Sequence, residues 1–221
     1  MLGVEARSFL TPGTQPGSAD LLVKVEESRP YRFSFDADNF GSRFTGRNRF
    51  GLNGEVGNLM KFGDRLSLRV VRSDLGQNFV NLSYSVPITS DGMTGLGFSY
   101  IFANHTLGAN LTPLEGEGEA KIFTIKFSHT LLRTRSYEVN VSGGVDFRSF
   151  TNSLLGSVTS DDSMADAFLG LRGFVTDRFL GRTYYNVRAQ VGDGERDVGD
   201  KLNSRFLGRG DRAVVSGGLT R

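Results

Sequence analysis

The chain has 221 residues, and its 26 Lys+Arg nearly balance 24 Asp+Glu, a net +2 that argues against a nucleic-acid partner. It contains no cysteine, which excludes disulfides, Cys-ligated zinc and thiol nucleophiles. It also lacks any apolar run of about 18 residues, so no transmembrane helix is expected; a transmembrane β-barrel stays open, because its strands alternate apolar and polar residues.

The first 20 residues, MLGVEARSFLTPGTQPGSAD, lack a basic start, an apolar core and a small-residue cleavage site, so they are not a secretory signal. An envelope protein without one is a processed product or a fragment. From residue 31 onward period-2 alternation dominates and helical periodicity is hard to find. Strands are expected over 31–38, 44–57, 62–73, 78–87, 92–104, 118–131, 135–150, 163–177, 181–191 and 212–219. Many exceed the ~5–6 residues usual in soluble sheets and reach the ~9–11 needed to cross a bilayer at a tilt.

The phase of the alternation sorts side chains into two rows. Leu66, Leu68, Leu82, Tyr84, Phe98, Tyr100, Val139, Val141 and Leu169 fall in the apolar row, expected to face lipid. Arg65, Ser67, Arg69, Asn81, Ser83, Glu138, Asn140, Asp146 and Arg172 fall opposite, expected to line a hydrated lumen. This explains the Gly- and Asn-rich stretch DADNFGSRFTGRNRFGLNGEVGN, residues 36–58. Such residues weaken an ordinary buried strand, but a wet lumen tolerates them and barrel closure supplies the hydrogen bonds.

The connections 88–91, 132–134 and 178–180 are short, and 105–117, 151–162 and 192–211 are long. Strict alternation puts the long loops at one rim, as in outer-membrane barrels. The fold class is therefore all-β, an antiparallel meander of a transmembrane barrel with about ten strands.

Signals for chemistry are weak. His105 falls in an expected outer loop and His129 on a strand, with no triad or metal spacing around them. Asp193, Glu195, Asp197 and Asp200 sit in a Gly-rich loop that matches no calcium-binding pattern and reads as solvated. The tripeptide RGD at 209–211 is uninformative. No catalytic, cofactor-binding or metal-binding residue is expected, and the chain reads as no enzyme.

With the strands placed, DNFGSRFTGRNRF, with Asp38, Asn39, Gly41, Thr45 and Gly46, is similar to the first barrel hairpin of two-partner secretion transporters. Gly63-Asp64 and the Tyr84, Ser85, Pro87 element extend the resemblance, which spans roughly residues 10–190. These haemolysin secretion/activation proteins export haemolysins and filamentous haemagglutinin-like adhesins across the bacterial outer membrane. The resemblance implies that residues 1–29 are the end of a polypeptide-transport-associated (POTRA) domain and its linker, and that 30–221 are part of a sixteen-stranded barrel. It further implies a secreted adhesin or haemolysin as partner, lipid around the barrel and no cofactor. An unclosed sheet with unpaired first and last strands then follows.

The chain departs from the family in ending on GGLTR and in lacking the Val-Arg-Gly-Tyr/Phe loop tip. LRGF at 171–174 imitates that tip from within an alternating run. The alternatives are an insertase or assembly factor of the same POTRA–barrel superfamily and a soluble β-sandwich binding module.

Overall fold

The computed structural model describes residues 3–15, 17–179, 181–194 and 212–221. β1 (Val4–Pro12) and β2 (Ala19–Glu27) pair as an antiparallel hairpin on a small sheet of their own. Ten further strands follow: β3 (Tyr31–Asp38), β4 (Arg49–Gly57), β5 (Arg65–Ser73), β6 (Asn78–Pro87), β7 (Thr94–Thr106), β8 (Glu117–Arg133), β9 (Tyr137–Leu154), β10 (Ser157–Thr176), β11 (Arg182–Gly194) and β12 (Arg212–Thr220). Each pairs antiparallel with its sequence neighbours in a single ten-stranded sheet, whose edges are β3 and β12. The expected meander with two free edges is thus observed.

The register carries the phase of the alternation across the sheet. Leu68 pairs with Leu82, Leu82 with Tyr100, Tyr100 with Phe123 and Phe123 with Phe147. One step along, Leu66 pairs with Tyr84, Tyr84 with Phe98 and Phe98 with Ile125. Val139 and Val141 oppose Gly173 and Leu171, and Leu169 opposes Ala189. Directly paired residues share a face, so all nine residues of the apolar row lie on one side.

That side is open: Leu82 is 42% and Leu169 71% exposed. Among the described residues Phe168 is the one buried large apolar side chain, and it sits on the opposite face. A soluble sandwich buries its apolar rows between two layers. Here an apolar face spans ten strands with no covering layer among the described residues, as lipid-facing walls require.

Three sequence expectations need correction. The strand expected from 44 begins at Arg49, because residues 39–48 fold back on themselves. The Gly41 amide donates to the Arg47 carbonyl (3.1 Å), and Gly46 adopts φ +110°. The expected long loop 151–162 is instead a β-hairpin. Leu155 and Gly156, with φ 51° and 71°, form a two-residue turn, and β9 and β10 run on as strands of 18 and 20 residues. Both central residues at positive φ match the twist of the flanking strands, so Ser and Thr that look like loop residues extend the ladder. His105 belongs to β7 rather than to a loop.

The strict alternation of short and long connections accordingly fails at residues 155–156, while the sharing of rims by alternate connections follows from the meander. Along one rim the loops lock together: Gly108 N–H donates to Phe44 O (2.7 Å), Asp74 N–H to Asn48 O (3.0 Å) and Leu155 N–H to Leu114 O (2.8 Å). LRGF lies inside β10. Glu195, Asp197, Asp200 and the RGD tripeptide lie outside the described residues.

Candidate functional site: the polar face of the meander

Opposite the apolar face, the register lines up one row across all ten strands. It runs Arg32, Glu55, Ser67, Ser83, Ser99, Thr124, Asp146, Asp166, Gly192 and Arg212. The nine polar residues singled out from the sequence, Arg65, Ser67, Arg69, Asn81, Ser83, Glu138, Asn140, Asp146 and Arg172, all occupy this face. Near the β3 edge, Arg69 donates to Asn53 Oδ1 (2.6 Å) and Asn53 donates to Asp36 Oδ1 (2.9 Å). At the lower end Asn140 donates to Glu138 Oε1 (2.7 Å), whose other oxygen accepts from Arg133 (3.3 Å).

The densest part is a charge cluster on β8–β12. Asp146 and Asp166 stand directly opposite one another and are 4% and 0% exposed. Facing like charges destabilise a sheet, and three arginines offset this here. Arg148 reaches both carboxylates, at 2.6 Å from Asp146 and 3.4 Å from Asp166. Arg188 donates to Asp146 (2.8 Å), and Arg212 forks onto Asp166 with Nε at 2.8 Å and a second contact through Nη2. Thr124 adds a hydroxyl to Asp146 (2.9 Å), and Arg188 lies 3.7 Å over the Phe168 ring.

Glycine makes this packing possible. A Cβ at Gly192, across the ladder from Asp166, would fall 1.8 Å from its Oδ1. Of this cluster the sequence reading singled out Asp146 alone. The period-2 phase of SDDSMADAF, which aligns Asp166 with Asp162 and Phe168, is the signal that could have found Asp166. Nothing local in sequence joins it to Arg212.

The hairpin motif builds the rim rather than the polar face. Asp38 Oδ1 accepts from Arg49 Nε (2.8 Å) and from the Phe40 amide (3.0 Å), closing the start of loop 39–48. A Cβ on Gly41 would fall 2.0 Å from Gly46 O, and one on Gly46 would meet Ser73 Oγ at 2.4 Å. The Thr45 carbonyl accepts the Ser73 hydroxyl, and Asn39 is exposed.

At the other rim, Asp64 is buried in turn 58–64, where its carboxylate accepts the Met60 amide and the Tyr84 hydroxyl, both at 3.1 Å. Burial alone would raise the Asp64 carboxyl, but the backbone and Tyr84 hydrogen bonds outweigh it and hold the carboxyl below the ordinary aspartate range. Among the described residues no group of His, Asp or Glu is arranged to hold a metal; His129 Nδ1 lies 2.9 Å from Thr94 Oγ1.

An antiparallel meander with an uncovered apolar face and a hydrogen-bonded polar face is the wall of a transmembrane β-barrel. The chain belongs to the haemolysin secretion/activation protein family ShlB/FhaC/HecB, which matches residues 17–201, and so to the β-barrel proteins of the bacterial outer membrane. It is similar to the heme/hemopexin transporter protein HuxB of Haemophilus influenzae strain 86-028NP, 24% identical over 204 residues, 91% of this chain and 36% of that protein. The same protein of strain KW20 is 26% identical over 151 residues, 68% of this chain and 26% of its own. The chain thus spans about a third or less of the curated relatives it matches.

Among solved structures, CdiB from Escherichia coli superposes with a TM-score of 0.77 at 17% identity, over 97% of this chain and 41% of that one. CdiB from Acinetobacter baumannii gives 0.63 at 18%, over 87% and 38%.

Proposed function

We propose that the chain is part of the wall of an outer-membrane pore that exports a large partner protein of the adhesin or haemolysin type, the polypeptide passing along the polar face. The observation that carries this reading is the row of hydroxyls and charges that crosses the ten-stranded sheet, broken by Gly192 on β11, backed by an apolar face of equal extent, in a member of a secretion family. Arg65, Ser67, Arg69, Asn81, Ser83, Glu138, Asn140, Asp146 and Arg172 then line the lumen, and lipid covers the other side. The β1–β2 hairpin with its linker is the end of a POTRA domain, and residues 30–221 are the partial barrel. The wall supplies a path and no catalysis.

The absence of cysteine permits a direct test. Single cysteines at Ser83 and Ser99 of the full-length protein should react with a membrane-impermeant maleimide and be shielded by a stalled export substrate. Cysteines at Leu82 and Tyr100, on the lipid side, should stay unreactive with or without substrate. Shielding at all four positions alike, or at none, would reject the lumenal path.

A further inference from the structure

One part of the polar face carries cations that have no ion pair among the described residues. A row below the hydroxyls, Arg65 on β5, Ser85 on β6, Gly97 on β7 and Lys126 on β8 are successive cross-strand partners. The Lys126 stem leans over Gly97, within 3.7 Å of where a Cβ would stand. Arg172 of β10 completes a trio around a trough of about 530 Å³, lined largely by Ser and Gly and also by Arg133, which is paired with Glu138. Arg65 and Arg172 are exposed and Lys126 is half-buried. None of the three has an ion pair among the described residues, in contrast to Arg69, Arg148, Arg188 and Arg212.

Arg172 and Arg188 act on Lys126 as like charges. The neighbouring carboxylates are already engaged: Asp146 by Arg148 and Arg188, and Glu138 by Arg133. Like charges held together without counter-ions on a concave, small-residue surface favour an anionic occupant.

We propose that this trough is a docking station for an acidic, extended segment of the exported polypeptide; the proposal rests on the export reading above. Arg65 and Lys126 are three strands apart, about 14 Å at the usual strand spacing. Four residues of extended chain cover that distance, so carboxylates at i and i+4 of one passing segment meet both cations. The Ser and Gly residues of the trough let the segment's backbone approach closely and offer hydroxyls without a pocket to trap any one side chain. Exposed contacts of this kind are individually weak, which suits a segment that must move on.

The test uses full-length protein in detergent and a fluorescein-labelled peptide of alternating Glu and Ser, compared with its Gln–Ser analogue. The wild type should prefer the acidic peptide by about tenfold, and the triple variant R65S/K126S/R172S should lose that preference. Lys126→Arg should retain it. If the triple variant lacks the heat-modifiable gel mobility of a folded barrel, the single Arg172→Ser variant decides by the same comparison.

Equal affinity for the two peptides, or an unchanged preference after the substitutions, overturns the proposal. So does displacement of the peptide by inorganic phosphate at equal charge, which would make the trough a general anion site. Export by wild-type cells is scored in parallel. No export there rejects the pore reading itself, whereas export with an unaltered peptide preference rejects only the docking station.

Discussion

Replacing Asp166 by Ala tests the charge cluster that spans β9 to β12. The side chain is fully buried and receives a two-pronged contact from Arg212, with Arg148 at 3.4 Å. Removing one partner of a fully buried ion pair costs about 3–5 kcal/mol, because the other charge is left without compensation. Two features lower the expectation here. The Arg212 and Arg148 side chains keep 30% and 21% of their exposure, so water partly solvates them. Arg148 also retains Asp146 at 2.6 Å.

The expected loss is therefore ~2 kcal/mol. Urea unfolding of full-length protein in phospholipid vesicles, read by heat-modifiable gel mobility, measures it. Arg212→Ala on top of Asp166→Ala should cost little more, with a coupling of about 1–2 kcal/mol in the cycle. A loss within about 0.5 kcal/mol of zero, or full additivity of the two changes, would refute the view that the cluster holds β12 to β10.

Gly192→Ala puts a methyl where Asp166 Oδ1 sits, 1.8 Å away, and should cost ~1–3 kcal/mol by overpacking in the same unfolding assay. Leu82→Arg should destabilise the barrel by about 2–4 kcal/mol near the bilayer midplane while Ser83→Arg is nearly neutral; equal costs would contradict the face assignment. Because the Asp64 carboxyl is held below its ordinary 3.8, its contribution to turn 58–64 is fully present above that pH. It is lost as pH falls from there through the lower folded value, and Asp64→Asn should remove this acid limb from a pH-dependent unfolding series. Gly46→Ala, at φ +110° and against Ser73, should open loop 39–48 and expose it to added protease on intact cells.

The period-2 alternation by itself determined which residues share a face, since a strand has no other way to place consecutive side chains. From it followed the apolar row from Leu66 to Leu169 and the polar row from Arg65 to Arg172; the meander followed from the strand connections, and the free edges from the resemblance to a larger barrel. The motif Asp38, Asn39, Gly41, Thr45 and Gly46 was legible too, although the interlocked rim it builds was not. Tertiary structure decided what depends on pairing between distant strands. Asp146 meets Asp166 and Arg212 only through the register of β9 to β12, and Gly192 matters only because it lies across from Asp166.

Composition also misled at residues 151–162. Ser and Thr there suit a loop and an exposed ladder equally, and the two-residue turn at Leu155-Gly156 decided for the ladder. A local pattern sets the orientation of each side chain; only the closure of long-range hydrogen bonds sets its neighbours.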